Sequence, residues 1–312
     1  MEDKNAVLMP GQIIRPPTNK QIALELLEQH YGLKASSVTE LNAYDDRNYH
    51  VICQESHRNP YIKLISKHGY VLKIINSLDS RKGHVIEAQT EMLIYLNHRN
   101  INCPSPIKTL KARLDNVLMG FSHPAYTSHK TLWMLASVPK LRQFTYAVKN
   151  TLERDLAHEV ISVFEEEVLQ VTSQLEQGII HGDLNEQNIV VSSNSREIAA
   201  VIDFGDSHIT CLIFELAITL CYMILQAGDV MMGKYVVEGY QDVRKLTNLE
   251  KEILKITVCT RLCQSLVMGA YSHHHDPQNE YLLYTQKSGW SLLKKLWSLS
   301  QNEVLRDWGL LD

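Results

Sequence analysis

The hydrophobic period of this chain changes near residue 121, from short β-rich runs between helices to almost uninterrupted helical spacing, and few folds satisfy both parts. Ile22, Leu26 and Leu27, with Thr18 as N-cap and Gly32 as C′ residue, predict a helix over 19–31. The runs 51–52, 61–65 and 70–75, split by Asn59-Pro60 and His68-Gly69, predict an antiparallel meander. A helix over 83–97 follows, then the Pro-rich connector Cys103-Pro-Ser-Pro106 and one more strand pair within 107–119. Beyond it, Leu156, Val160, Phe164, Val168, Val171 and Leu175 predict one long helix that Gly178 stops. Short strands at 179–180, 189–191 and 199–202 precede helices over 212–226, 249–271 and 279–298. The expected fold is α+β, with a small antiparallel-sheet lobe over 1–120 and a larger, mainly helical lobe over 121–312.

Charge and cysteine usage narrow the setting. Lys plus Arg number 31 against 35 Asp plus Glu, a net charge of −4, so no basic glove for nucleic acid is present. The apolar run 212–225 carries Glu215 and falls short of the roughly 20 residues a bilayer span needs. The first residues, Met1-Glu-Asp-Lys-Asn5, have acid where a signal peptide needs positive charge. Cysteines 53, 103, 211, 221, 259 and 263 form no C-x-x-C pair, which fits a reducing compartment. A cytoplasmic protein without nucleic-acid or membrane partners is the expectation; oligomeric state is left open. Cys259 and Cys263 lack further ligands at metal spacing and read as core, and His273-His-His275 before Asp276-Pro277 reads as a solvated helix end.

The chemistry is concentrated in His181-Gly-Asp183-Leu-Asn-Glu-Gln-Asn188 and, after a short strand, Ile202-Asp203-Phe-Gly-Asp206. Phosphoryl transfer to an alcohol needs a carboxylate beside the attacking hydroxyl and hard oxygen ligands that hold Mg²⁺ against the nucleotide phosphates. Asp183 suits the first task, and Asn188 with Asp203 the second. The bland reading gives these residues turn hydrogen bonds only. His181 reads as a brace for backbone rather than a proton carrier.

This block resembles the aminoglycoside phosphotransferase and choline kinase group, whose fold is bilobal and protein-kinase-like. His-Gly-Asp and an Ile-Asp-Phe-Gly-Asp with no downstream Ala-Pro-Glu point to its small-molecule branch rather than to protein kinases. The resemblance implies Asp183 as catalytic base, Asn188 and Asp203 as Mg²⁺ ligands, Lys73 of Val71-Leu-Lys-Ile74 as the lysine that holds nucleotide phosphates, and Glu87 as its ion-pair partner. Tyr44 to His50 occupies the place of the phosphate-covering turn, without any glycine, so Asn48 and neighbouring amides are assigned that contact. The stretches 44–51, 181–189, 201–206, 214–219 and 261–272 resemble the hydroxylysine kinases of that group. They imply phosphorylation of the side-chain hydroxyl of 5-hydroxy-L-lysine with GTP as donor, ATP being the other donor considered. Asp206 and Glu215 are then acidic candidates for the ammonium groups of that substrate, with Glu215 equally suited to pairing or capping within its helix.

The chain departs from the family at one junction. Val117-Leu-Met-Gly120 runs directly into Phe121-Ser-His-Pro124, where the family inserts a further strand, a base-binding hinge and a helix. The expectation is weak nucleotide binding, poor discrimination between GTP and ATP, slow turnover and an exposed sheet edge near Met119. The alternative to an active kinase is a kinase-like binding or regulatory protein that keeps the motif without turnover.

Overall fold

The computed structural model describes residues 7–59, 61–107, 125–191, 198–283 and 285–311, which form two units. The junction at Gly120 and Phe121 and nearly all of the expected strand pair over 107–119 lie outside the described residues.

The first unit comprises the described residues 12–107. Helix α1 (Lys20–Leu26) starts at Asn19, whose side chain accepts the Ile22 amide, so the cap sits one residue after the expected Thr18. The helix continues as a π turn over Leu27–Tyr31 and stops at Gly32 in the left-handed conformation, φ 65°. Strands β1 (Ala35–Leu41), β2 (Arg47–Cys53) and β3 (Tyr70–Ile74) form an antiparallel sheet in the order β1-β2-β3. Alternation along β2 buries Tyr49, Val51 and Cys53 with Leu72, Leu27, Leu33 and Ala23. Residues 61–65 form turns rather than the expected strand, because Asn59 bonds backwards to the Tyr31 carbonyl and caps the Tyr61 amide. Helix α2 (Gly83–His98) turns Val85, Ala88 and Met92 inward.

The second unit takes residues 7–11 together with the described residues from 125 onward. The Tyr271 hydroxyl accepts the Gly11 amide (2.8 Å) and donates to the Met9 carbonyl (3.5 Å), which fastens that N-terminal segment. A short helix α3 (Ala125–Ser128) and a 3-10 segment (Leu135–Gln143) lead to α4 (Thr151–Val163), capped by Asn150. The long helix expected from residue 156 onward changes pitch instead. A π turn over Phe164–Val168 keeps both of those side chains fully buried, and a 3-10 segment ends at Gln174. Gly178 lies within strand β4 (Gln177–Ile180) and is not a helix stop. Strands β5 (Ile189–Val191) and β6 (Ile198–Val201) pair with each other, and β4 pairs with β7 (His208–Cys211), a strand beyond those expected from the sequence.

Helices α5 (Leu212–Ala227), α6 (Gly233–Val243), α7 (Asn248–His275), α8 (Gln286–Ser298) and α9 (Gln301–Asp307) complete this unit. Helix α7 opens on a capping box in which Thr247 and Glu250 each accept the other's backbone amide. By length and composition it could span a membrane, yet 83% of its most apolar stretch is buried among α4, α5 and α8, so it is the core helix of the unit. Cys259 and Cys263 are among its fully buried residues, whereas His274 and His275 lie exposed at its end.

Candidate active site

Strand pairing fixes the loop that carries the candidate residues. Ile180 pairs with His208, and Ile189 pairs with Val201, so residues 181–188 are anchored at both ends. The Ile202 amide donates to the Asn188 carbonyl (3.0 Å), which sets Asp203 beside the end of the loop. Asn185 folds the loop inward: its side-chain oxygen accepts the amides of Gln187 and Asn188. Asp183, Asn188 and Asp203 are thereby brought together although Asp203 follows a separate strand.

Asp183 is held by three side chains. Arg261 Nη2 donates to Oδ1 at 2.8 Å, and Nδ2 of Asn185 and of Asn188 donate to Oδ2 at 3.0 and 3.2 Å. The Asn188 amide group also donates to the Asp183 carbonyl at 2.8 Å. About a quarter of the Asp183 side chain, 26%, stays exposed, so the carboxylate remains accessible. Dry surroundings push its pKa up to about 6; Arg261 pulls the other way, and the negative charge of Asp203 adds to the rise.

Asn188 uses its amide nitrogen on Asp183, and its oxygen Oδ1 accepts no hydrogen bond from the described residues. Asp203 contributes carboxylate oxygens near the same loop and has a left-handed backbone, φ 60° and ψ 67°. Such a conformation in a residue other than glycine persists only where the surrounding structure enforces it. Two hard oxygen donors on adjoining strand ends suit a divalent cation such as Mg²⁺, so the residues fit that group. Among the described residues there is no cluster of three or more His, Cys, Asp and Glu suited to a metal, and the donor set rests on the asparagine.

His181 is a brace: Nε2 donates to the Ile202 carbonyl (2.9 Å), and Nδ1 accepts the Asp183 amide (3.3 Å). Glu215, in the first turn of α5, accepts the backbone amides of His181 and, at 3.2 Å, Gly182. Burial raises its pKa, and those amides with His181 oppose the rise. Both oxygens serve the loop backbone, which corrects the assignment of Glu215 to substrate and makes it a positioning residue. Asp206 lies in a 3-10 turn over Phe204–Asp206; its carbonyl accepts His208 Nδ1 (2.7 Å), and its charge reaches Arg261.

Gly182 explains the middle of the His-Gly-Asp motif. It has φ +83°, and a Cβ there would lie 2.4 Å from the Asp206 carbonyl oxygen. Gly182→Ala is expected to displace Asp183 and lower kcat by on the order of 10²-fold, since a shift of about 1 Å suffices for that. Steady-state kinetics beside a thermal melt checks this, and a variant with parental kcat would show that the loop yields without moving its carboxylate.

The residues expected to meet nucleotide lie in the first unit and are described within it. Asn48 and Lys73 are direct partners across β2 and β3, so they share the sheet face opposite Tyr49 and Leu72. Asn48 therefore stands on a strand, while the turn itself is residues 42–46. Lys73 Nζ pairs with Asp46 at 3.3 Å. No ion pair joins it to Glu87, which corrects that expectation. Glu87 is exposed because α2 commits Val85, Ala88 and Met92 to the interior and its position falls on the outer side. The turn is acidic and latched: Asp46 accepts the Asn76 amide (2.8 Å), and burial pushes Asp45 up to about 7, with Asp46 and Asp79 adding and Arg15 opposing.

Sequence reasoning gave Arg261 no role. It is 1% exposed on α7, and its only signal was its place in a stretch matched to relatives.

Comparison with known proteins places the chain in a family. The model of the phosphotransferase enzyme family matches residues 109–249, which include the 181–188 loop and Asp203. Hydroxylysine kinase of Bos taurus is 30% identical over 356 positions, covering 95% of this chain and 94% of that protein. That match is longer than this chain, so the relative carries residues with no counterpart here. A microcompartment-associated aminopropanol kinase has the same fold, with a TM-score of 0.60 at 17% identity over 90% of this chain and 98% of its own. Amicoumacin kinase hAmiN, solved with AMP-PNP and Ca²⁺, superposes with a TM-score of 0.53 at 15% identity over 92% and 93%. The expected protein-kinase-like α+β fold is thus the observed one. The chain belongs to the family of small-molecule phosphotransferases that includes the hydroxylysine kinases, and it is a kinase with an alcohol group as acceptor.

Proposed function

We propose that this chain moves the γ-phosphoryl group of GTP to the side-chain hydroxyl of 5-hydroxy-L-lysine. The observation that carries the reading is the Asp183 carboxylate, oriented by Arg261, Asn185 and Asn188 and still part-exposed. Asp183 accepts the proton as the substrate oxygen forms its bond to phosphorus, and the bond from phosphorus to the bridging oxygen breaks to release the nucleoside diphosphate. Asn188 and Asp203 hold the divalent cation, Mg²⁺ in this reading, which would supply neutralising charge to the phosphates. Lys73 and Asn48 contact the nucleotide phosphates, and Asp206 supplies negative charge toward an ammonium group of the substrate. Similarity to hydroxylysine kinase over 95% of the chain supports this substrate.

The intact catalytic loop favours turnover over a purely regulatory role, and the shorter chain bears on rate. Incubation with hydroxylysine and either GTP or ATP is expected to yield phosphohydroxylysine more slowly than the Bos taurus relative does, with weak preference between donors. Phosphorylation of another amino alcohol but not of hydroxylysine would overturn the substrate.

A further inference from the structure

We propose that Arg261 is a positioning residue of the reaction, a guanidinium plate that aims Asp183 from the core helix. The proposal rests on the reading of Asp183 as the base. Nη2 of Arg261 meets Asp183 Oδ1 at 2.8 Å, while Nη1 donates to the Trp133 carbonyl (2.9 Å) and to Gln264 Oε1 (3.0 Å). Gln264, one turn further along α7, donates in turn to the Leu132 carbonyl at 2.6 Å. The rings of Trp133 and Tyr222 flank the guanidinium, 5.2 and 5.4 Å from its central carbon. These hydrogen bonds and ring contacts hold the guanidinium in place, and its Nη2 in turn holds the carboxylate.

The contact to Asp183 is through one nitrogen only. A two-pronged pair would bind both carboxylate oxygens to the arginine, whereas here Oδ2 is left to the two asparagines and the open side of the loop. Burial opposes the charge of Arg261, but Tyr222, Asp183 and Asp206 more than offset it, so the group stays cationic. A buried ion pair contributes little net stability compared with apolar packing of similar volume. Orientation is therefore the property this arrangement supplies, and the loop borrows it from α7, whose neighbouring residues are fully buried.

The test compares Arg261→Ala and Arg261→Lys with the unaltered chain. Arg261→Ala is expected to lower kcat by about 10²-fold with the nucleotide KM within about threefold, because the machinery stays but its aim is lost. Ethylguanidinium should restore at least a tenth of the lost kcat, and sodium chloride at the same ionic strength should not. Arg261→Lys keeps the charge without the planar fork, and is expected to fold and lose kcat by at least about tenfold. Parental kcat in Arg261→Lys, or an Arg261→Ala defect that ethylguanidinium leaves untouched, would overturn the proposal. If Arg261→Ala does not fold, the lysine variant decides alone. A second readout needs no turnover: ethylguanidinium should raise the melting temperature of Arg261→Ala and leave Arg261→Ala/Asp183→Asn unmoved. If the unaltered chain makes no phosphohydroxylysine while that shift is seen, the substrate reading fails and the pairing of Arg261 with Asp183 stands.

Discussion

Asp183→Asn is expected to lower kcat by about 10²- to 10⁴-fold, the contribution of a positioned acid or base, in a chain that still folds. The change removes one negative charge and almost no volume, but the structure adds a cost that local sequence does not show. Arg261 is buried and meets a neutral oxygen where it had a carboxylate, while the new amide nitrogen meets the donating groups of Asn185 and Asn188. Stability should therefore fall by about 1.5–3 kcal/mol, the range for a hydrogen bond to a charged group. Rapid-quench kinetics and a denaturant titration read the two effects separately. If the variant kept more than about a tenth of parental kcat, the proton would be leaving by another route.

Asp203→Ala should weaken binding of the Mg²⁺-nucleotide complex by more than about tenfold and depress kcat with it, since even residues one layer behind a metal ligand are worth 10- to 100-fold. Its backbone sharpens the test. Asp203 has φ 60°, a conformation that aspartate and asparagine tolerate and alanine resists, so Asp203→Ala carries strain that Asp203→Asn does not. Both variants should lose affinity, because asparagine keeps one neutral oxygen and no charge, and only the alanine variant should also melt early. Unchanged affinity in isothermal titration for Asp203→Asn would remove Asp203 from the metal site.

These residues were accessible to sequence reasoning because their geometry is local. Residues 181–188 fold back on themselves through Asn185, and Asp203 is placed by a strand that pairs with the strand leaving the loop. Gly32 ends its helix in a left-handed conformation, as expected of the C′ glycine. The failures share a physical origin in tertiary packing. The expected partner of Lys73 came from the resemblance to the family, but the burial of Val85, Ala88 and Met92 fixes the rotation of α2 and sends Glu87 outward. Strand β1 has no fully buried residue and, among the described residues, pairs only with β2, so its residues carried little signal. Arg261 is separated from Asp183 by 78 residues, and no periodicity links them. Glu215 looked like an acid available to a cationic substrate because its partners are backbone amides, which a sequence never displays.

Residues 7–11 belong with the second unit, fastened by a tyrosine 260 positions downstream of Gly11. During synthesis this segment emerges before the rest of its unit and has nothing to dock on until α7 has been made. At about 5–20 residues per second the wait is on the order of 10–50 s. The first unit, whose described residues are continuous in sequence from 12 to 107 apart from Pro60, can gather its own core within that interval. The order of assembly is then the reverse of the order of appearance for this one stretch. The earliest-made residues of the second unit are among its last to be placed, and the hydroxyl of Tyr271 acts as a latch on a folding sequence as well as a contact in the finished molecule.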